Sequence, residues 1–240
     1  MNEMLSNAMI QFRDMIDLEK KIQVGEKEFI KGGFTPVQES IVEPLGISTL
    51  TGIVDFVKCN VEHEHAKNMH IHVKSPTQVF LETDSFGPWL QRHIFISSNA
   101  LVTDFKFGFR YNSEQFIIAL LSQFQETEHR NALLSACSNI TKESIGTVND
   151  TGHSQKIEVR QGISMRREVE FKNPVILQPY RTFSEIKQPE SEFVFRIHDD
   201  DEKGITCSIH EADGSLWMLK AITDIRDYFN EILPDLPVIA

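Results

Sequence analysis

The chain has 240 residues, of which 40% are hydrophobic, and its formal net charge is −11. A chain of this size can bury one large core or two small ones. The negative charge argues against a general polyanion-binding surface, because phosphate contacts need clustered lysine and arginine. The longest apolar runs are far shorter than a bilayer span, so we expect no membrane contact.

The three cysteines, Cys59, Cys137 and Cys207, are widely spaced and form no Cys-x-x-Cys pair. A sparse, odd number of cysteines fits reduced thiols in a cytosolic protein better than a disulfide framework. The amino end alternates apolar and charged residues, whereas a signal peptide has a continuous apolar block. We therefore expect a cytoplasmic protein.

Apolar residues at helical spacing predict an amphipathic helix over residues 1–19. Its apolar face is rich in methionine and includes Met4, Met9 and Phe12. Flexible thioethers suit adaptable contacts, so this face is a candidate oligomer interface; the alternative is ordinary packing on the core. A short hairpin with Gly25 in its turn follows. We assign this helix and hairpin to an N-terminal arm, residues 1–47, and residues 48–240 to a single α+β domain.

Helices and strands are predicted together in the middle of the chain. Ser48 or Thr49, Asn112 and Thr127 each precede an apolar stripe and are predicted helix N-caps. Residues 69–73 and 78–83 alternate like paired strands, and a third strand is predicted over about 93–97.

From about residue 140 the hydrophobic period changes to two, which predicts a series of strands. A last helix is predicted to end before Pro234. Its expected apolar stripe consists of Leu216, Leu219, Ile222, Ile225, Phe229 and Leu233. The predicted fold class is α+β, with mixed helices in the N-terminal half, mainly antiparallel sheet in the C-terminal half, and a closing C-terminal helix.

Histidines raise the question of a metal site, because His63 and His65, then His70 and His72, form two His-x-His pairs. On a strand, each pair would point to one face and could bind zinc if a third ligand came from elsewhere. Known zinc templates fail, since Lys67 stands where a further histidine is needed. A metal-dependent hydrolase built on His70 and His72 remains an alternative to polar loop and strand histidines.

Other catalytic motifs are not supported. The triplet at residues 150–152 resembles that of aspartic proteases but has no second copy, so a turn is favoured. Residues 199–204 begin like a calcium loop, yet Lys203 and His210 occupy ligand positions. No nucleophile elbow or phosphate-binding glycine loop is present in the sequence. We expect no cofactor.

Two charged surfaces are candidates for binding. Arg166 and Arg167 precede an aromatic residue, and residues 106–111 also interleave basic and aromatic side chains on a predicted strand. Single-stranded nucleic acid is bound by such combinations, so a nucleic-acid-binding recombination accessory is one alternative. Residues 185–213 carry nine acidic residues against three basic ones. This stretch is either a solvated face or an acidic surface that mimics nucleic acid or docks a basic partner.

Several short blocks together resemble a family of uncharacterised phage and prophage proteins. The blocks are STLTGIVDFV (residues 48–57), HVKSPT (72–77), PYRTFSEI (179–186), QPESEFVFR (188–196) and EADGSLW (211–217). The resemblance covers most of the chain after about Ile41, and the block at 179–186 is its most specific part. A more distant likeness is to YfdQ-like prophage proteins. The resemblance implies a phage-encoded protein of the host-cell cytoplasm and supplies no catalytic residues.

These observations favour a non-enzymatic phage accessory protein that acts by binding. We expect a homo-oligomer, or a host or phage protein as the partner, in antagonism of host defence or in phage DNA recombination. Tyr180 and Arg181 are the candidate binding residues. The alternative is that the tyrosine packs internally and the arginine pairs with a nearby acid such as Glu185.

Overall fold

The computed structural model describes residues 21–25, 27–30, 35–36, 43–61, 68–87, 90–141, 144–150, 154–161, 165–200 and 204–240. Within these ranges the chain is an α+β protein, and its last helix closes the fold, as the sequence predicts. The predicted helix with Met4, Met9 and Phe12 lies outside the described residues, as do His63 and His65. No described helix is long and apolar enough to cross a bilayer.

The hairpin predicted for the arm is confirmed. β1 (Lys21–Val24) pairs antiparallel with β2 (Lys27–Ile30), with Lys21 opposite Ile30. β3 (Thr35–Pro36) adds to the other edge of β2. Gly25 has a φ of 65°, which favours glycine in the connecting turn.

A five-stranded sheet forms the first half of the main body. Its members are β4 (Leu45–Ile47), β5 (Met69–Ser75), β6 (Gln78–Thr83), β7 (Ile94–Asn99) and β15 (Val238–Ile239). The order is β15-β5-β6-β7-β4, with both edge strands parallel to their neighbours and the inner pairs antiparallel. β4 belongs to this sheet, although it falls on the arm side of the predicted boundary at residue 47.

Two antiparallel sheets follow in the second half. The four-stranded sheet has the order β12 (Val175–Leu177), β13 (Ser191–Asp200), β14 (Gly204–Glu211) and β8 (Tyr111–Asn112). The three-stranded sheet has the order β11 (Met165–Lys172), β10 (Ser154–Gln161) and β9 (Ser144–Asp150). β13 and β14 pair antiparallel on either side of the acidic stretch near residue 200, with Asp200 opposite Gly204.

Four helices lie within the described residues, and the predicted caps are confirmed for the first three. They are α1 (Leu50–Lys58), α2 (Ser113–Gln123), α3 (Glu128–Thr141) and α4 (Leu216–Ile232). Side-chain oxygens of Thr49, Asn112 and Thr127 accept hydrogen bonds from backbone N–H groups three residues later, at 3.2, 2.8 and 3.1 Å. Each bond satisfies a donor that the helix itself leaves open.

The apolar side chains form two cores. The first core packs α1 and α4 against the five-stranded sheet, with Leu50, Ile71 and Phe229 fully buried. The second core packs α2 and α3 against the four-stranded sheet, with Phe116 and Phe195 fully buried. Along the chain, the second core takes its buried residues from 105–209, and the first core takes most of its residues from before and after this range, with Phe183 and Ile186 inside it.

The apolar stripe predicted for α4 is wrong in its first turn. Leu216 and Leu219 are 69% and 66% exposed, and the side chains that face the first core are Trp217, Ala221, Ile225 and Phe229. These residues recur every four positions, so the helix is rotated relative to the predicted stripe at its amino end. The rotation leaves two large leucines on the surface beside Trp217.

Candidate functional site

The block at residues 179–186 lies in a connecting segment, residues 178–190, that joins the two cores. At one end, the Tyr180 amide donates to the Gln123 carbonyl at the end of α2, at 2.9 Å. At the other end, Phe183 and Ile186 are buried in the first core. The Thr182 hydroxyl donates to the Pro76 carbonyl in the turn between β5 and β6. Hydrogen bonds and buried side chains therefore hold the segment against both cores.

Gln188 holds the middle of this segment in a compact turn. Its buried Oε1 accepts hydrogen bonds from the backbone amides of Arg181 and Thr182, at 3.0 and 3.2 Å. Its Nε2 donates to the Phe183 carbonyl at 3.0 Å. The same Nε2 also donates to the Thr182 carbonyl at 3.4 Å, so one side chain satisfies four backbone groups that no helix or sheet pairs.

Arg181 lies at the junction of the two cores. Its Nη1 donates to Oε1 of Glu211 at 2.6 Å, and its Nη2 donates to the hydroxyl of Ser191. The guanidinium carbon lies 3.8 Å from the ring centre of Trp217 and 5.7 Å from that of Phe193. Arg181 therefore bridges an aromatic residue of the first core and one of the second.

Burial lowers the pKa of Arg181 from its usual value to about 10, because the charged form loses its hydration. The negative charges of Glu211 and Asp213, and the hydrogen bond that Arg181 donates to Glu211, offset part of that loss. The guanidinium stays protonated at neutral pH and is held by its partners.

Arg181 pairs with an acid, as the alternative to a binding role expects, but that acid is Glu211 rather than Glu185. Glu185 lies at the amino end of α1 instead, where its Oε1 accepts from the backbone amides of Leu50 and Thr51 at 2.7 and 3.2 Å. The helix dipole and its open amides attract a carboxylate at this position. Tyr180 is 38% exposed, and its carbonyl accepts from the Thr103 hydroxyl at 3.0 Å.

A cavity of about 490 Å³ lies beside Trp217, between the end of β12, the start of β13 and the start of α4. We call it the Trp217 cavity. Its lining includes Ile176, Glu192, Asp213, Leu216, Trp217 and Lys220. The lining therefore combines exposed apolar side chains with carboxylates.

A groove of about 610 Å³ lies between residues 186–190 and α4. We call it the α4 groove. Its charged lining consists of Glu190, Asp224, Asp227, Glu231, Lys187 and Lys220. Glu190 and Lys220 also line the Trp217 cavity, so the two depressions adjoin.

Both lysines of the α4 groove are already paired. The Nζ of Lys187 lies 3.0 Å from Oε1 of Glu190, and the Nζ of Lys220 pairs with Asp224. The hydrogen bond and charge of Lys187 lower the pKa of Glu190, which keeps that carboxylate ionised. Asp227 is paired as well, since its Oδ1 lies 3.0 Å from Nη2 of Arg226. The lining itself still has four carboxylates against two lysines.

His70 and His72 share one carboxylate. Oε1 of Glu82 lies 3.1 Å from Nε2 of His70 and 3.4 Å from Nδ1 of His72. Nδ1 of His70 also lies 3.3 Å from Asp84, though without hydrogen-bond geometry. Among the described residues, no group of three or more His, Cys, Asp or Glu side chains is placed to hold a metal ion.

The two basic and aromatic stretches lie on different elements of the fold. Residues 106–110 form a loop rather than the predicted strand, since Gly108 has a φ of 76°. Phe107 stacks on Phe193 at 5.3 Å between ring centres and so packs against the second core. Arg166 and Arg167 lie on β11, with Arg166 opposite Arg160. The nucleic-acid alternative stays a prediction.

The structure also joins blocks that the sequence presents separately. Arg181 comes from the block at 179–186, Ser191 from that at 188–196, and Glu211 and Trp217 from that at 211–217. Sequence reasoning singled out Arg181 but missed these three contacts. The available signal was the grouping of all four residues in blocks of the same resemblance.

No protein-family model matches the chain, and neither curated proteins nor solved structures include a significant match to it.

Proposed function

We propose that this is a non-enzymatic phage accessory protein that acts by binding another protein, and that the α4 groove docks a basic segment of that partner. The observation that carries the proposal is the excess of carboxylates along the groove, four against two lysines and the neighbouring Arg226, which pairs with Asp227 at 3.0 Å. Complementary charge steers a partner to such a surface and fixes its orientation.

The dimensions of the groove suit an extended peptide segment. From Lys220 to Glu231, α4 rises about 16 Å, which an extended chain of about five residues spans. Asp227 and Glu231 are one turn apart and lie on the same side of the helix. Basic side chains at alternate positions of a bound segment would reach them.

Both walls of the groove are held in place by the fold, so the surface is already formed before a partner binds. Gln188 and Arg181 hold the connecting segment by hydrogen bonds, and α4 is anchored in the first core by Trp217, Ile225 and Phe229. A preformed surface loses little conformational entropy when it binds. Host defence components and the phage recombination machinery are the two settings in which we place the partner.

Affinity capture from phage-infected cells tests this proposal. The groove variant is Asp227→Lys with Glu231→Lys. The matched control is Asp55→Lys with Asp104→Lys, two exposed acids elsewhere on the surface. We expect one or more proteins to be retained by the wild type and the control, and to be lost at least about tenfold by the groove variant.

The captured protein should then bind in a salt-sensitive way and cross-link to α4 through a lysine- or arginine-rich segment. Equal retention by the wild type and the groove variant would show that the partner binds elsewhere. Loss of retention in both double variants would show a general charge effect rather than a groove.

A further inference from the structure

The loop at residues 106–110 contains a tight turn that hydrogen bonds hold in one conformation. The Phe109 amide donates to the Lys106 carbonyl at 3.3 Å, and Gly108 has the positive φ that the third position of a type II turn requires. The Gly108 amide donates to a backbone carbonyl of β14 at 2.8 Å, and the Lys106 amide donates to the Tyr111 hydroxyl at 2.9 Å. The turn is therefore fixed to the four-stranded sheet.

Phe109 projects from this turn with about half of its surface open to solvent. It is 54% exposed, and its ring meets that of Tyr111 edge to face at 4.9 Å between ring centres. Tyr111 in turn stacks on the buried Phe105 at 5.1 Å. Single exposed apolar residues are common on protein surfaces, but this ring is supported by two others that reach the second core. It is thus held in place while its outer part stays available for stacking.

Two cations flank the exposed ring. Lys106 and Arg110 are both exposed, and within the described residues neither side chain has an ion-pair partner. Residues 104–111 contain one acid, Asp104. The carboxylates of the α4 groove lie on other elements. The turn therefore carries a local positive charge on a chain that is acidic overall.

A presented aromatic ring between two unpaired cations matches single-stranded nucleic acid. An unpaired base stacks on such a ring, and the phosphates beside it attract lysine and arginine. Duplex DNA does not fit, because its bases are already stacked on one another. A membrane surface needs a wider apolar face than one phenylalanine provides. An acidic peptide would pair with the cations and gain little from the ring.

We propose that the turn at residues 106–110 binds single-stranded nucleic acid, with one base stacked on Phe109 and the adjoining phosphates paired with Lys106 and Arg110. None of these residues lines the α4 groove, so the site adds an activity to the proposed function and does not depend on it. Because the chain is acidic overall, the strand contacts this turn alone. Binding is therefore weak, with a Kd of about 10–100 µM in about 50 mM salt.

Anisotropy titration with two matched strands tests the stacking. The probe is a fluorescein-labelled oligothymidylate of about 15 nucleotides, and its control is an abasic strand of the same length, which has the phosphates but no bases. The wild-type chain should bind oligothymidylate about tenfold more tightly than the abasic strand. Phe109→Ala should bind both strands equally, at the wild-type affinity for the abasic strand. Leu219→Ala, at another exposed apolar position, should change neither affinity.

The salt dependence of binding gives a second readout. Lys106→Gln with Arg110→Gln removes two phosphate contacts, so the slope of log K against log salt should fall by about 1.4 in magnitude. Lys58→Gln with Arg92→Gln replaces an exposed lysine and an exposed arginine outside the turn and should leave the slope unchanged. A purely structural effect of the first pair would lower the affinity at every salt concentration without changing the slope.

An oligothymidylate that shows no saturable binding at low salt would overturn the proposal. Equal wild-type affinity for the two strands would also overturn it, because the ring then plays no part, and this comparison needs no variant to fold. So would an unchanged slope in the Lys106 and Arg110 variant. Polyglutamate or anionic lipid vesicles, bound in place of the strand and lost in Phe109→Ala, would assign the turn to a protein or a membrane. The capture experiment changes only Asp227 and Glu231, so the two proposals fail independently.

Discussion

Arg181 shows how one side chain serves both cores. Its guanidinium is removed from water, yet it is matched by Glu211, by Ser191 and by the indole of Trp217. An ion pair of this kind contributes little relative to an apolar substitute, but removal of one member is costly where the other is buried. Arg181 is 8% exposed, whereas 33% of the Glu211 side chain is exposed, so the larger penalty falls on loss of Glu211. The contribution of this ion pair to stability therefore becomes measurable mainly when one of its two members is replaced.

Replacement of Arg181 by methionine should lower the free energy of unfolding by about 1–2 kcal/mol, since the hydrogen bonds to Glu211 and Ser191 are lost while Glu211 keeps part of its hydration. The additional change Glu211→Gln should restore part of that loss by removing the unpaired charge. Urea unfolding followed by circular dichroism measures both effects. Arg226→Met, on the exposed face of α4, is the control and should cost no more than about 0.5 kcal/mol.

Cys137 provides a second test at the residue scale. Its Sγ lies 4.0 Å from that of Cys207, and both residues are 1% exposed. The hydrogen bond to Cys207 and burial raise the pKa of the Cys137 thiol well above its usual value. A raised thiol pKa means that the nucleophilic thiolate is scarce at pH 8.5.

Iodoacetamide at pH 8.5 should therefore label the native protein at the exposed Cys59 and leave Cys137 and Cys207 unmodified. In urea all three should react, and mass spectrometry of peptides locates each label. Cys59→Ser should make the native protein unreactive on the same timescale. Rapid modification of Cys137 in the folded protein would contradict its burial and its raised pKa.

Among the elements, the helix starts were predictable and the phase of α4 was not. Thr49, Asn112 and Thr127 act within three residues of themselves, so their signal is local in the sequence. The face that α4 buries depends on the sheet against which it packs. In the first turn of the helix the buried residue is Trp217 rather than the predicted Leu216. Likewise, Glu211 lies 30 residues from Arg181, beyond the range of any local pattern.

Glu185 links the connecting segment to the amino end of α1. We expect both its acceptor oxygen and its negative charge to stabilise the folded protein. Glu185→Ala removes the acceptor of two amides at the helix start and should cost about 1–2 kcal/mol in unfolding free energy. Glu185→Gln keeps an acceptor but removes the charge, so we expect about half that cost. The difference between the two variants should shrink in 1 M salt, as thermal or urea unfolding would show. Identical losses would mean that charge plays no part.

At the scale of the whole molecule, the prediction of a homo-oligomer rests on the methionine-rich face that includes Met4, Met9 and Phe12. Light scattering after size-exclusion chromatography should give a multiple of the chain mass for the full chain. Met9→Glu with Phe12→Glu should give the mass of one chain, because charges on that face oppose its burial. A single-chain mass for both proteins would rule out assembly through this face.

The α+β class and the antiparallel hairpins followed from periodicity, whereas the division into two cores did not. Hydrophobic periods show which residues are buried but not which buried residues meet. Strand β15 pairs with β5 across more than 160 residues of sequence, and that pairing leaves no local trace. The sequence shows the acidic residues as a run of charge. The groove itself forms only where α4 packs beside the connecting segment, and that contact is not visible in the sequence.

The nested order of the cores has a consequence for synthesis on the ribosome. Strand β5 emerges early, yet the helix and strand that cover it, α4 and β15, are made after the second core is complete. The apolar face of the five-stranded sheet therefore stays partly exposed to solvent while the second core is synthesised and folds. Chaperone dependence during translation should accordingly fall on the five-stranded sheet, even though it is encoded first.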